Sequence, residues 1–206
     1  MQHTTKCALL AILLCAGAVR PGAVAAADDF WSGAKKPEPK VRVTPLESAT
    51  IPAVPTVRDI DALLAAVSDA WERTPLTMRR AMFVKTKAAI FGGYDDRGSN
   101  VFAPGEPLLS YLEPVGYGWK PVGSDSFQLG LTIDFLLKGS DGKVIAGQDA
   151  FQSFSATSHV KNKEFYLNMT MSLTGLDPGS YVLIYTVHDN ASSKVTTVEQ
   201  PFTIKG

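Results

Sequence analysis

The hexapeptide Leu176-Asp177-Pro178-Gly179-Ser180-Tyr181 decides the fold of this chain. Its Pro-Gly pair is typical of a tight turn, because proline fixes one backbone angle and glycine accepts positive values of that angle. The segments on both sides alternate apolar and polar residues, which is the period of a strand with one face in a core. We therefore predict a turn between two half-buried strands, with Tyr181 just after it. The alternating apolar residues are Phe165, Leu167, Met169, Met171 and Leu173 before the turn, and Tyr181, Leu183, Tyr185 and Val187 after it.

The same period continues through most of the chain. It is clearest from Leu129 to Leu137, and the Asp-Gly pair within residues 139–142 then predicts a hairpin turn. Residues 78–91 are rich in apolar side chains and are also predicted to be a strand, and the last strand is predicted over residues 195–204. Turn signals recur every ten or so residues, which favours a β-sandwich over residues 78–206.

From Phe102 onward the chain resembles secreted bacterial immunoglobulin-like domains and fibronectin type III domains. The resemblance rests on Pro104-Gly105-Glu106, on Pro201 to Ile204, and above all on the corner formed by Leu176, Pro178, Gly179 and Tyr181. In such domains the tyrosine hydroxyl bonds back to nearby backbone and fixes the corner between the two sheets. The resemblance implies a mainly β fold: an immunoglobulin-like antiparallel β-sandwich of about seven strands, preceded by one amphipathic helix. It implies no catalytic residue, since this fold serves many functions.

The first 27 residues are predicted to be a secretory signal peptide. Lys6 supplies a basic start, a short apolar core follows, and Ala25-Ala26-Ala27 offers small residues for cleavage. A lipoprotein anchored through Cys15 is the weaker alternative, because Leu14 stands where a small residue is expected. The apolar run is too short for a comfortable membrane span. We therefore expect a periplasmic protein.

Residues 28–57 are predicted to be a Pro-rich disordered tether, and residues 58–73 an amphipathic helix. Five prolines break any periodicity in the tether. In the helix, apolar residues recur at helical spacing and form one stripe that should be buried. We expect the stripe to pack on the sandwich, with Trp71 as its largest anchor; a second protein is the alternative. The stripe consists of Ile60, Leu63, Leu64, Val67 and Trp71.

Composition restricts the partners. The chain has 20 basic and 20 acidic residues, and removal of Lys6 and Arg20 with the signal leaves it slightly acidic. Nucleic acid and anionic membranes need clustered positive charge, so we expect neither as a partner. Both cysteines, Cys7 and Cys15, lie inside the signal, so no disulfide staples the domain. Stability should come from a packed core instead.

No metal, cofactor or catalytic site is predicted. Beyond the signal only His159 and His188 remain as histidines, and no carboxylates show ligand spacing around them. Ser158 and Lys161 match an S-x-x-K pattern by chance, because the catalytic use of that pattern requires a helix and this segment has the character of strand and loop. The adjacent pair Asp95-Asp96 is typical of solvated charge in a turn.

The candidate binding surface consists of Tyr117, Trp119 and Trp71. Tyr117 and Trp119 lie in a loop rich in Gly and Pro, where exposed aromatic rings could stack on sugars or peptides. The favoured alternative is that Trp119 turns inward and closes one end of the sandwich, since large aromatic side chains are mostly buried.

Three classes of function follow from these features. We expect a non-enzymatic interaction or scaffold module of the cell envelope that binds an envelope protein. A small-ligand or glycan-binding protein that uses the loop aromatics is the alternative. A hydrolytic enzyme ranks third, because it would need a pocket built from scattered residues.

Overall fold

Helix α1 is the first element of the structure, a computed structural model that describes residues 54–206. The helix runs Val57–Arg73 and begins with a capping box. The Thr56 hydroxyl accepts the amide of Asp59 at 3.4 Å, and the Asp59 carboxylate accepts the amide of Thr56 at 2.8 Å. The predicted signal peptide and the predicted tether up to residue 53 lie outside the described residues.

Nine strands follow the helix within residues 54–206. Their number exceeds the predicted seven because two short strands, β2 and β4, pair only at the ends of longer ones. The strands are β1 (Thr77–Phe83), β2 (Val101–Phe102), β3 (Leu108–Val115), β4 (Lys120–Val122), β5 (Ser126–Gly139), β6 (Val144–Ser158), β7 (Leu167–Met171), β8 (Gly179–Asp189) and β9 (Val195–Ile204).

The strands form two sheets. One has the order β1-β3-β7, and the other has the order β2-β9-β8-β5-β4, with β6 paired to the other edge of β5. All pairs are antiparallel except β2 with β9, which run parallel over two residues. The prediction of a mainly β, sandwich-like fold preceded by one helix is confirmed.

The core lies between the two sheets and is built from the predicted alternation. Leu129, Leu131, Ile133 and Leu137 of β5 are buried, whereas Lys138 points away from them. The β7 and β8 patterns contribute in the same way. Further core residues are Leu167, Met169, Met171, Leu183, Tyr185, Val187, Phe202 and Ile204. The domain is thus held by apolar packing, as expected of a domain without disulfides.

The segment after β1 departs from its prediction. Residues 78–91 were predicted to be one strand, but β1 ends at Phe83 and a loop then covers the outer face of the β1-β3-β7 sheet. The loop buries Val84 and Ala88 beside Tyr111, and burial raises the pKa of Tyr111 to about 12. The side-chain amide of Asn168 accepts the Ala88 amide at 3.0 Å and donates to its carbonyl at 2.8 Å. The apolar residues of this segment therefore serve a small second core.

The corner lies where the hexapeptide predicts it. The Tyr181 hydroxyl donates a hydrogen bond to the carbonyl oxygen of Asp177 at 2.7 Å. The Tyr181 ring also stacks on Phe202 of β9, with 5.5 Å between ring centroids. Gly179 follows Pro178 with φ +159°, so β8 begins in an extended conformation immediately after the turn.

The apolar stripe of α1 is the largest departure from expectation. It was predicted to be buried against the sandwich, but no residue of Val57–Arg73 is buried. Trp71 alone among the stripe residues packs against the main core. The reason is the placement of the helix, which contacts the sandwich through its C-terminal turns. Among residues 54–206 no helix is long and apolar enough to cross a membrane.

Candidate functional site

The three aromatic residues predicted as a binding surface come together where α1 meets the sandwich. The Trp71 indole donates to the carbonyl oxygen of Tyr117 at 2.9 Å, and the two rings meet edge to face with centroids 5.0 Å apart. The Tyr117 and Trp119 rings lie 6.5 Å apart. We call these three residues the aromatic anchor. It joins an element early in the chain to the loop between β3 and β4.

Tyr117 closes the end of the core and is not a surface residue. Only 1% of it is exposed, and its ring packs edge to face against Phe165. Its hydroxyl donates to the carbonyl oxygen of Asn162 at 3.0 Å, and burial raises the pKa of the phenol well above its ordinary value. The hypothesis that Tyr117 stacks on a ligand is therefore corrected: a Gly-rich loop lets the ring fold inward.

Trp119 lies beside Tyr117 and is half-buried. Its indole nitrogen donates to the same Asn162 carbonyl at 3.0 Å, and its ring packs against the main core. One backbone carbonyl thus orients two aromatic side chains. The polar atom with which Trp119 could recognise a ligand is already bonded within the protein.

The cavity beside the aromatic anchor is small. It is bounded by the three rings together with Ser68, Glu72, Gly118, Lys161 and Lys163, and its volume is about 30 Å³. Such a volume holds about one water molecule. A sugar ring does not fit there, so the anchor serves to attach the helix.

A lysine far along the chain fixes the end of the helix. The Lys194 ammonium, at the end of the turn into β9, donates to the carbonyl oxygens of Glu72, Thr74 and Gly116, each at 2.8 Å. Carbonyls at a helix C-terminus lack partners within the helix and carry partial negative charge, which an ammonium group stabilises. Lys194 therefore connects the helix end, the β3–β4 loop and the β8–β9 hairpin.

Asp189 organises the same hairpin from inside. Its carboxylate is buried and accepts the amide of Gly118 at 2.7 Å and the amide of Ala191 at 2.9 Å. A Cβ at Gly118 would lie 3.2 Å from the Asp189 carboxylate, which is tighter than usual contact. These bonds hold the anchor loop against β8.

Two lysines of the β6–β7 loop face the helix. Lys161 forms an ion pair with Glu72 at 2.9 Å, and this contact lowers the pKa of the Glu72 carboxyl. Lys163 donates to the Ser68 hydroxyl at 2.9 Å. Helix α1 is thus attached on one side by polar bonds and by Trp71.

Between the helix and this loop lies an open groove of about 410 Å³. Leu64 and Val160 give it apolar walls, and Lys161 and Lys163 give it a basic rim. The remaining lining residues are Ser68, Asn162 and Glu164. Grooves of this volume fall within the range of binding sites, and their mix of apolar wall and charged rim suits a peptide segment.

The rest of the helix stripe continues from the groove onto open surface. The exposed fractions are 50% for Ile60, 54% for Leu64 and 48% for Val67. Val57 and Leu63 are exposed as well. Apolar residues scattered singly on a surface are ordinary, whereas these side chains form one continuous stripe. We call the stripe and the groove together the helix surface.

The two histidines lie apart from this surface and from each other. His188 contacts the Asp134 carboxylate at 2.6 Å, and the same carboxylate accepts the amide of Ala150 at 2.7 Å. Ala150 has φ +49° and lies in a bulge of β6, so Asp134 holds a strained turn of the strand. The pKa of the Asp134 carboxyl is lowered, chiefly by the hydrogen bond from the Ala150 amide and then by His188. His159 bonds the backbone of Asp125 on the surface.

The described part holds no cluster of metal ligands and no helix at the S-x-x-K pattern. Residues 54–206 contain no group of three or more His, Cys, Asp or Glu side chains that could hold a metal. Ser158 ends β6, where its hydroxyl accepts the amide of Val160, so the S-x-x-K pattern has no helix to bring Lys161 beside it.

The sequence indicated the anchor residues but not what surrounds them. Lys194 and Lys163 carried no signal, because their partners are backbone or hydroxyl groups about a hundred residues away. The sequence predicted an amphipathic helix, but it did not indicate that the apolar stripe of this helix would be exposed.

Comparisons with known proteins identify no family for this chain. The chain matches no family model and no curated protein. Among solved structures it is similar to Spo0M, a sporulation control protein from Bacillus subtilis, with a TM-score of 0.32 and 9% identity. The alignment covers 65% of this chain and 50% of the Spo0M chain.

Proposed function

We propose that this protein is a non-enzymatic interaction module of the bacterial cell envelope, exported to the periplasm, that binds a partner protein through the helix surface. The observation that carries the proposal is the exposed apolar stripe of a helix that is firmly attached at one end. The signal-like N-terminus supports the location.

The attachment of the helix end keeps the stripe in a fixed orientation on the protein surface. Trp71, Lys194 and Lys161 hold the C-terminal end of the helix by one indole bond, two ammonium bonds and one ion pair. A helix held so at its end keeps Leu64 and Val67 in a fixed position relative to the groove. Pre-positioned apolar side chains bind with less loss of conformational entropy than mobile ones.

The composition of the helix surface suits a peptide or helix as partner. Side chains three, four and seven residues apart lie on one helix face, and Ile60, Leu64, Val67 and Trp71 follow that spacing. A partner helix laid along such a stripe is a common mode of recognition. Lys161 is already paired with Glu72, so Lys163 is the rim cation that would attract an acidic edge of the partner.

The test is photo-cross-linking in the living host. A photoreactive residue is placed at Leu64, and the matched control is Ile90, an aliphatic residue with 67% exposure on the loop after β1. We expect a discrete protein adduct from position 64 and none from position 90, identified by mass spectrometry.

Two outcomes would overturn the proposal. Equal adducts from both positions would mean nonspecific capture, and no adduct from position 64 in a folded protein would mean that the helix surface binds no protein. In the second case, titration of tryptophan fluorescence with envelope glycans would address a small ligand in the groove instead.

A further inference from the structure

Strand β6 forms a long free edge of the larger sheet. It runs Val144–Ser158 and pairs with one edge of β5, while β4 and β8 occupy the other edge of β5. Within residues 54–206 no backbone hydrogen bond joins β6 to any other element. The backbone N–H and C=O groups on the outer side of β6 are therefore open to a further strand.

The other free strand edges among residues 54–206 are protected against such pairing. β1 carries Arg79 and Arg80 at a bulge, and β7 has only 5 residues. β2 and β4 have 2 and 3 residues, and β4 contains Pro121. Charge, bulges, proline and shortness are the usual means by which sheet edges avoid further pairing. In contrast, β6 has 15 residues without lysine, arginine or proline.

The regular part of this edge follows the bulge at Ala150. From Gln152 to Ser158, half-buried and exposed residues alternate strictly. The half-buried row contains Phe154, whose ring packs partly against the main core. The exposed row consists only of hydroxyl side chains, those of Ser153, Ser155 and Thr157. The segment thus has one hydroxyl face, one face with an aromatic ring at its middle, and no charge.

A second copy of this segment fits the edge when it runs antiparallel with Phe154 opposite its own copy. Residues that lie opposite each other in an antiparallel pair share one face, so Ser153 meets Ser155 of the second copy. The two Phe154 rings become cross-strand neighbours, and aromatic pairs and hydroxyl pairs both stabilise antiparallel strands. This centre uses the whole regular segment, because Ala150 then lies opposite Ser158.

Charge favours the antiparallel direction over the parallel one. Asp149 is the only charged residue of β6. In the antiparallel pair it lies across from His159 of the second copy, and the two Asp149 carboxylates are about 33 Å apart along the strands. A parallel pair in the same register would place the two carboxylates side by side, and like charges directly opposite each other destabilise a strand pair.

We propose that two copies of this chain pair antiparallel through residues 151–158 of β6, about a two-fold axis at Phe154, so that their larger sheets become one. The proposal goes beyond the proposed function and does not depend on it, because these residues belong neither to the α1 stripe nor to the groove. A two-fold axis uses the same edge on both copies, which is the commonest symmetry of soluble oligomers.

The size of the contact sets the expected strength. A stable interface of standard size buries roughly 800 Å² per partner, and a single pair of short strands buries less than that. We therefore expect a reversible dimer with a dissociation constant on the order of 10 to 100 µM.

The experiment is sedimentation velocity of the protein as processed by its host, at concentrations from about 1 to 500 µM. We expect conversion from monomer to dimer over this range. The double variant Ser153→Lys with Ser155→Lys should weaken association at least about tenfold, because each lysine then faces a lysine of the second copy.

The matched control is the double variant Ser153→Lys with Ser155→Asp. In the proposed register each lysine faces an aspartate of the second copy, so this variant should dimerise at least as well as the unchanged protein. Both double variants alter the same two exposed side chains, and circular dichroism checks that both keep the fold.

Three outcomes would overturn the inference: a monomer at all concentrations, a dimer that neither double variant weakens, or a dimer that both weaken equally. The photo-cross-link from position 64 reports separately on the proposed function. A discrete adduct from a protein that stays monomeric would leave the proposed function standing without this inference. A dimer with the expected response to the two double variants, but with no adduct from position 64, would support this inference and remove the proposed function.

Discussion

The two halves of helix α1 show how one amphipathic pattern can have two structural outcomes. The C-terminal half is held by Trp71, which contacts Tyr117 and the core, and by lysines that bond its last carbonyls and Glu72. The N-terminal half carries Ile60 and Leu64 with about half of each side chain exposed. The helix is therefore attached to the sandwich by one aromatic ring and polar bonds, while its aliphatic side chains remain exposed to solvent.

Replacing Tyr117 should have the largest effect, because this ring supports the attached half from within the core. Tyr117→Ala should lower the free energy of unfolding by about 3–5 kcal/mol, the usual cost of removing a buried aromatic ring. Urea denaturation measures it.

Tyr117→Phe is the control for this change. It removes only the bond to Asn162 and should cost about 1 kcal/mol. A loss below about 1 kcal/mol for Tyr117→Ala would contradict the role assigned to the ring.

Trp71→Ala should release the attached half without unfolding the sandwich. We expect a loss of about 2–3 kcal/mol, because the ring is only partly buried. Hydrogen exchange should show loss of protection along Val57–Arg73 while β5 and β8 keep theirs.

Leu64→Ala is the matched change in the free half. It should alter the free energy of unfolding by less than about 0.5 kcal/mol. If Trp71→Ala and Leu64→Ala lower the free energy of unfolding equally, the contrast between the two halves of the helix is wrong.

Lys194→Met tests the polar part of the attachment. The variant keeps the length of the side chain but leaves three carbonyl oxygens without their donor, so we expect a loss of about 1–2 kcal/mol. Thermal unfolding followed by circular dichroism measures it, and Lys205→Met at the C-terminus should have no effect. Equal melting temperatures for the two variants would contradict the structural role of Lys194.

The smallest effect concerns pH. The Glu72 pKa lies below its ordinary value of 4.5, chiefly because of its hydrogen bond to Lys161. A lowered pKa contributes stability above pH 4.5, and that contribution is lost as the pH falls through the folded value. Acidification below pH 4.5 should therefore loosen the helix end slightly, seen as a change in tryptophan fluorescence. Glu72→Gln should remove that change, and a change that persists in this variant would assign it to other groups.

The strands could be predicted because their signal is local. Alternation in β5, β7 and β8 reports directly which side chains face a core, and Leu176 to Tyr181 specifies its own turn. The prediction of a strand was wrong for the segment from Val84 to Ala88, because apolar content alone does not distinguish a strand from a loop that covers a sheet.

The candidate site was predictable in its residues but not in its arrangement. Trp71, Tyr117 and Trp119 were identified as notable aromatics, yet each is oriented by a backbone carbonyl more than 40 residues away: that of Asn162 for Tyr117 and Trp119, and that of Tyr117 for Trp71. Likewise, the period of α1 predicts a stripe, and only the position of the helix end decides how much of it is covered. Long-range polar bonds of this kind leave no pattern in a sequence.

The three carbonyls around Lys194 also affect its chemical reactivity. An amine whose protons all point at oxygen atoms is protected from acylating reagents, which require a deprotonated and accessible nitrogen. Lys194 should therefore be labelled slowly while the helix end is in place and quickly once it departs. Its rate of acylation, read by peptide mapping, would follow the attachment of α1 in the native protein without any substitution.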